Sequence, residues 1–195
     1  MRTVAMHTPL PPQEPRPPSG GAMQPSGPND DSAAYVKARP PGATDPWSAQ
    51  GRRATQHLLE VREIDAPTEV AEALGAQRVV VRRRLMLFDD IPVELTDSYY
   101  PLAVASGTAL AQERKVRGGA PTLLAGLGYV AHEVFEDVSA RPVSEAEANT
   151  LALPADSPAL VLVRVTRDDK GRPFEMSHMV MRPEGRHLRY RWIVE

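Results

Sequence analysis

The chain contains no cysteine, which excludes a disulfide framework and a thiolate metal site and fits a reducing compartment. Aromatic residues make up only 5% of it, and no run of 18 apolar residues occurs, so no membrane-spanning helix is expected. The first residues hold one early arginine but no apolar core of signal-peptide length. Charge of either sign is not in excess: 23 Lys and Arg stand against 25 Asp and Glu. No global basic field is therefore available to drive nucleic-acid binding. Chemistry is sparse as well. There is no G-x-S-x-G elbow, and His7, His57, His132, His178 and His187 show neither i, i+4 pairing nor ligand spacing. A metal site, a cofactor and a nucleophile paired with a base are thus all without a sequence signal.

What is present divides the chain in two. Residues 1–53 are rich in Pro, Gly, Ser and Ala, a composition that breaks helices and buries little apolar area, so this part is expected to be a disordered tail or linker. Its PLPP and PRPP runs also suit a polyproline ligand. Residues 54–195 carry patterned elements and length enough for one domain with a core.

The most informative stretch is RVVVRRRLMLFDDIPVELTDSYYP at residues 78–101. Two apolar-rich runs flank a turn-forming Phe-Asp-Asp-Ile-Pro segment, which predicts a β-hairpin. With a three-residue loop at Asp89–Ile91, Leu87 faces Val93, Leu85 faces Leu95, Arg84 faces Thr96 and Arg82 faces Ser98. Alternation then gives an apolar face with Val79, Val81, Leu85, Leu87, Val93 and Leu95, and a polar face with Arg82, Arg84, Met86, Glu94, Thr96 and Ser98. The polar face suits either solvated sheet surface, with Arg84 pairing diagonally with Glu94, or a binding site.

A first strand is expected over residues 56–64 and a short helix over 67–75, opened by Pro67 and closed by Gly75. A further short helix covers 121–127, with Thr122 at its start. Residues 130–141 are strand-like. Ser144 with Glu147 forms a capping-box signature for a helix running through Leu151. Residues 159–167 and 173–182 form a second hairpin around Asp-Asp-Lys-Gly-Arg. A four-residue turn sets Glu175 opposite Thr166 and Ser177 opposite Arg164, with Val161, Val163, Val165, Phe174, Met176 and Val180 on an apolar layer. Residues 187–194 are expected to close the sheet. The sum is an α+β domain, a mostly antiparallel sheet with about three short helices.

Three blocks carry a resemblance. Arg84, Pro92 and Ser98-Tyr99-Tyr100-Pro101 form one; GGAPTLLAGLGY at 118–129 forms another; VLVRVTRDDKGRPFEMSHMVM at 161–181 forms the third. In this order and spacing they resemble the UTRA domain, the effector-sensing half of GntR-type transcription regulators of the HutC subfamily. Tyr35 to Arg39 resembles the residues that close the wing of the winged helix-turn-helix in such regulators, the rest of which is absent from this chain.

The resemblance implies a chorismate-lyase-like fold, a cytoplasmic protein, a homodimer, no cofactor and no membrane. It further implies a small anionic or polar effector, and DNA contact only through the missing winged helix. It puts Arg84 and Glu175 on effector-contacting positions and Thr122 near a hydroxyl position. The candidate ligand-binding set is Arg84, Thr96, Thr122, Arg164, Glu175 and Ser177, a guanidinium-and-hydroxyl constellation suited to an anion. Met86, Thr96 and Met181 stand where arginine, glutamate and tyrosine are common in sugar-phosphate-sensing members, which favours a larger, less charged effector. An orphan sensor acting through a full-length partner and a small lyase-like enzyme are the alternatives.

Overall fold

The turn at Asp89 and Asp90 sets the register of the first hairpin. In a computed structural model of the protein, describing residues 32–40, 43–184, 186 and 188–190, β2 (Arg78–Phe88) and β3 (Ile91–Pro101) run antiparallel. Arg82 lies opposite Ser98, Arg84 opposite Thr96 and Leu85 opposite Leu95, as the spacing requires. The tip differs from the expected three-residue loop. Asp89 and Asp90 form a two-residue turn with both φ positive, at 49° and 63°, the geometry whose twist matches that of the strands. A register shift between Met86 and Leu87 absorbs the difference, so Leu87 meets Pro92 rather than Val93.

β1 (Ala54–Asp65) pairs with β2, and the hairpin of β5 (Pro158–Arg167) and β6 (Pro173–Met181) joins through β6 to β3. β4 (Glu133–Pro142) pairs with β5 at the far edge. The result is a six-stranded antiparallel sheet in the order β1-β2-β3-β6-β5-β4. Thr166 lies opposite Glu175 and Arg164 opposite Ser177, as expected for the second hairpin.

One face of the sheet packs on α1 (Thr68–Leu74) and α4 (Glu145–Leu151). Val70 and Leu74 lie against Val79 and Met176, while Ala148 and Leu151 lie against Val143 and Val180. Gly75 closes α1 at φ 62°, a left-handed position that glycine takes without steric cost. The other face is covered over part of its area by α2 (Leu102–Ala105), a 3-10 turn at Ala109–Ala111 and α3 (Ala120–Gly126), through Tyr100, Val104, Leu110 and Leu124. Phe174 belongs to this second cluster, not to the apolar layer with Met176. The register shift between Thr166 and Arg167 leaves Phe174 without a strand partner, and its ring packs 5.7 Å from Tyr129.

Of the stretch expected to be a tail, the structure describes residues 32–40 and 43–53. Ser48–Arg53 forms a 3-10 segment, and Trp47 is 3% exposed, packed with Ala54, Met86 and Val93. Its indole Nε1 donates to the Thr55 carbonyl at 2.7 Å. Proline-rich composition excludes helix interiors, but one large aromatic buries enough area to dock an extended segment. Residues 1–31 and most of the expected closing strand lie outside the described residues.

The capping box of α4 is complete: Ser144 Oγ accepts from the Glu147 amide at 3.3 Å, and Glu147 Oε2 accepts from the Ser144 amide at 2.8 Å. Arg141 grips the same carboxylate with two bonds of 2.7 Å. These bonds, Arg141 foremost, hold the Glu147 pKa down to about 2 from an ordinary 4.5. A depressed carboxylate contributes stability that is complete above its ordinary pKa and lost as pH falls through its folded value. Wild-type stability should therefore decline between pH 4.5 and about 2, and Glu147→Gln should lower stability at pH 7 while flattening that decline. Urea unfolding across this pH range measures both.

Candidate functional site: a charged cavity on the sheet

The face that sequence alternation marked as polar is buried. Arg82 is 4% exposed, Glu94 6%, Thr96 3% and Ser98 0%. Buried charges have to be paired or hydrogen-bonded, because desolvation of an unmatched ion costs several kcal/mol. Beyond the patch covered by α2 and α3, this face bounds a cavity of about 190 Å³.

Most of its guanidinium groups are already engaged. Arg82 donates from Nη1 to the carbonyls of Leu110 and Gln112, at 2.7 and 2.8 Å, and from Nη2 to that of Arg114 at 2.8 Å. It thereby ties down the loop after α2, and burial pulls its pKa down. Arg186 Nη2 donates to Glu94 Oε2 at 2.6 Å, while Thr96 donates to Glu94 Oε1 at 2.5 Å. Arg164 Nε donates to Glu136 Oε1 at 2.5 Å and its Nη2 to Ser32 Oγ at 2.5 Å. Burial pushes the Glu136 carboxyl up, but Arg164 and the hydroxyls of Ser32 and Tyr190 outweigh it and hold its pKa below the usual value.

Arg84 is different. Its Nη2 donates to Ser98 Oγ at 2.9 Å, and Ser98 Oγ lies 2.9 Å from Ser177 Oγ. Ser177 Oγ reaches Glu175 Oε1 at 3.4 Å, and the Tyr100 hydroxyl donates to the same oxygen at 2.9 Å. Burial and the Glu175 charge raise the Tyr100 pKa, so this hydroxyl stays a donor. A polar chain thus crosses β2, β3 and β6 from a guanidinium to a carboxylate. The buried Nε of Arg84 has no partner, and the diagonal pairing with Glu94 considered for it does not form, since Glu94 is taken by Arg186 and Thr96. An orphaned buried donor on a cavity wall is a place for an acceptor to bind.

Of the six candidate residues, Arg84, Thr96, Arg164, Glu175 and Ser177 line this cavity. Thr122 does not. Because α3 begins at Ala120, its hydroxyl turns back to donate to the Gly118 carbonyl at 2.9 Å and accepts from the Arg39 amide at 3.2 Å. It braces the wall from behind. Gly118 and Gly119, with φ of 73° and 83°, bring the backbone itself to the cavity there. Met86 lines the cavity, whereas Met181 is 0% exposed and packs with Leu162 and Met179. Sequence reasoning missed Trp47, Tyr35 and Arg186. A tryptophan inside a proline-rich stretch is the signal that could have found the first.

The blocks that frame this cavity fall within residues 49–185, which match the UTRA domain family. The chain belongs to that family. Among curated proteins, the HTH-type transcriptional regulator Rv0792c of Mycobacterium tuberculosis is 30% identical over 125 residues, covering 61% of this chain and 45% of that protein. The UTRA chain therefore spans under half the length of that relative. A solved regulator assigned to the GntR family aligns at a TM-score of 0.72 and 25% identity, over 88% of this chain and 72% of its own. The effector domain of PhnF from Mycobacterium smegmatis has the same fold at a TM-score of 0.65 and 19% identity, over 77% and 94% of the two chains. So does the C-terminal domain of the histidine utilization repressor from Pseudomonas syringae, at 0.63 and 23%, over 73% and 100%.

Arg82 and Arg84 on β2 should separate cleanly in experiment. Arg82→Lys loses the fork that holds several carbonyls and should cost about 2–3 kcal/mol. For a domain of this size that lowers Tm by roughly 5–10 °C, measured by differential scanning fluorimetry.

Proposed function

We propose that this UTRA domain binds a small anionic or polar effector in the cavity on its sheet and serves as the sensing domain of a GntR/HutC-type transcription regulator. The observation that carries the reading is the open donor edge of Arg84 at one end of the chain that leads to Glu175. An anionic group on the guanidinium and a hydroxyl or amine on the carboxylate would complete both ends. The relatives, all regulators or their effector domains, support the same reading.

Met86 and Met179 on the wall favour an effector with more apolar surface and less charge than a sugar phosphate. Regulators of this kind read paired half-sites, so the working state is a homodimer. The exposed edge strand β4, with Phe135 and Val138 each 47% exposed, supports an associating surface. DNA is reached through a winged helix-turn-helix carried by the full-length protein or by a partner, and the protein works in the cytoplasm.

A thermal-shift screen against metabolites tests the reading, since a ligand at 100 times its Kd adds about 2.7 kcal/mol to stability. Arg84→Ala should abolish the shift given by the ligand that emerges, because loss of a charge-assisted bond costs about 1.5–3 kcal/mol. Its ligand-free Tm should stay within a few degrees of wild type. If Arg84→Ala leaves affinity intact, Arg84 does not hold the effector.

A further inference from the structure

The family match begins at residue 49, yet Ser32, Tyr35, Arg39, Asp45 and Trp47 all line the cavity. Their anchors lie at opposite sides of the sheet. Ser32 donates to Glu136 on β4 and accepts from Arg164 on β5. At the other end Trp47 is fixed to Thr55 on β1. With strands about 4.8 Å apart and β2, β3 and β6 lying between β1 and β5, the segment must pass across the sheet. It does so along the side where α3 begins: the Arg39 amide donates to Thr122 Oγ1 at 3.2 Å, and Asp45 pairs with Lys115 at 3.6 Å. Residues 32–40 and 43–47 are therefore a strap over the cavity, and Tyr35 and Trp47 are its apolar inner surface.

Resting on the effector-site reading above, we infer that this strap is part of the binding site and closes it around an organic monocarboxylate with a compact apolar body, so that effector binding and strap docking reinforce each other. The size fits, because an apolar cavity of about 150 Å³ holds benzene and this one is about 190 Å³. The charge fits as well. Arg82, Arg164 and Arg186 are engaged with backbone carbonyls, Glu136 and Glu94; Arg39 gives its Nη groups to the Thr44 and Ala34 carbonyls, and Arg84 has a single serine and an unpartnered Nε with which to meet a carboxylate. Met86 and Met179 on the wall offer a phosphate's remaining oxygens no hydrogen bonds, whereas they pack against an apolar body. Reciprocity follows from linkage: if the docked strap raises affinity, occupancy must raise docking by the same factor.

The test uses 4-fluorobenzoate as probe, with binding read from 19F line broadening and strap docking from amide hydrogen exchange of residues 33–39. Wild type should bind the probe, and saturation should slow exchange across the strap. Tyr35→Ala should weaken binding at least tenfold. Thr122→Val, which removes the acceptor of the Arg39 amide from outside the cavity, should weaken it several-fold while exchange in the sheet is unchanged. Inorganic phosphate at equal concentration should not displace the probe. Wild-type affinity in both strap variants, with strap exchange unaffected by the probe, would overturn the inference. In that case loss of binding in Arg84→Ala still leaves the cavity as the effector site. Conversely, binding that survives Arg84→Ala but is lost in Tyr35→Ala overturns the role of Arg84 and retains the strap. A wild-type protein that does not bind the probe, or that releases it to phosphate, overturns the monocarboxylate assignment.

Discussion

A guanidinium that is buried on a β-sheet must be matched, and on this sheet that requirement decides what each neighbouring residue is for. Arg82 is matched by backbone carbonyls, which makes it an anchor for the loop leading to α3. Arg164 and Arg186 are matched by carboxylates, which neutralises two of the cavity's charges within the protein. Arg84 is matched only in part, by one serine hydroxyl, and keeps a buried donor without a partner. Function follows from that inequality: Arg82, Arg164 and Arg186 build the cavity, and Arg84 is left to meet what enters it. Removing the protein's own compensation at one position is a direct way to make a buried surface specific for an anion.

The register of both hairpins was legible because side-chain alternation has a period of two, so a slip of one residue would expose the whole apolar face. Arg84 opposite Thr96 and Glu175 opposite Thr166 followed from turn length and alternation, and with them most of the cavity's polar lining. The capping box of α4 was equally plain, since both partners lie within four residues of each other. Where bulges intervened, the pattern misled. A slip beside Pro173 turned Phe174 to the other face, and one at Leu87 shortened the loop at Asp89.

What could not be read were the contacts made across long stretches of chain. Thr122 was placed by the resemblance near a hydroxyl position, but its direction depends on where α3 starts, and an earlier start turned it away from the cavity. Trp47 and Ser32 lie in a stretch whose composition argues against long helices and strands and says nothing about docking. Their places are set by the sheet they touch, through Thr55, Arg164 and Glu136. The pairing of Glu94 with Arg186 spans 92 residues of sequence, and no local rule reaches that far.

The central claim, that the unmatched edge of Arg84 receives the effector's negative charge, can be observed directly in the arginine Nε–H region of a 1H–15N spectrum. Arg84→Lys identifies the resonance by its disappearance. Saturation with a bound monocarboxylate should move that signal downfield, as expected when an N–H gains an ionic acceptor, while the Arg82 signal stays in place. A bound ligand that leaves the Arg84 signal unmoved and shifts those of Arg164 or Arg186 instead would contradict the account.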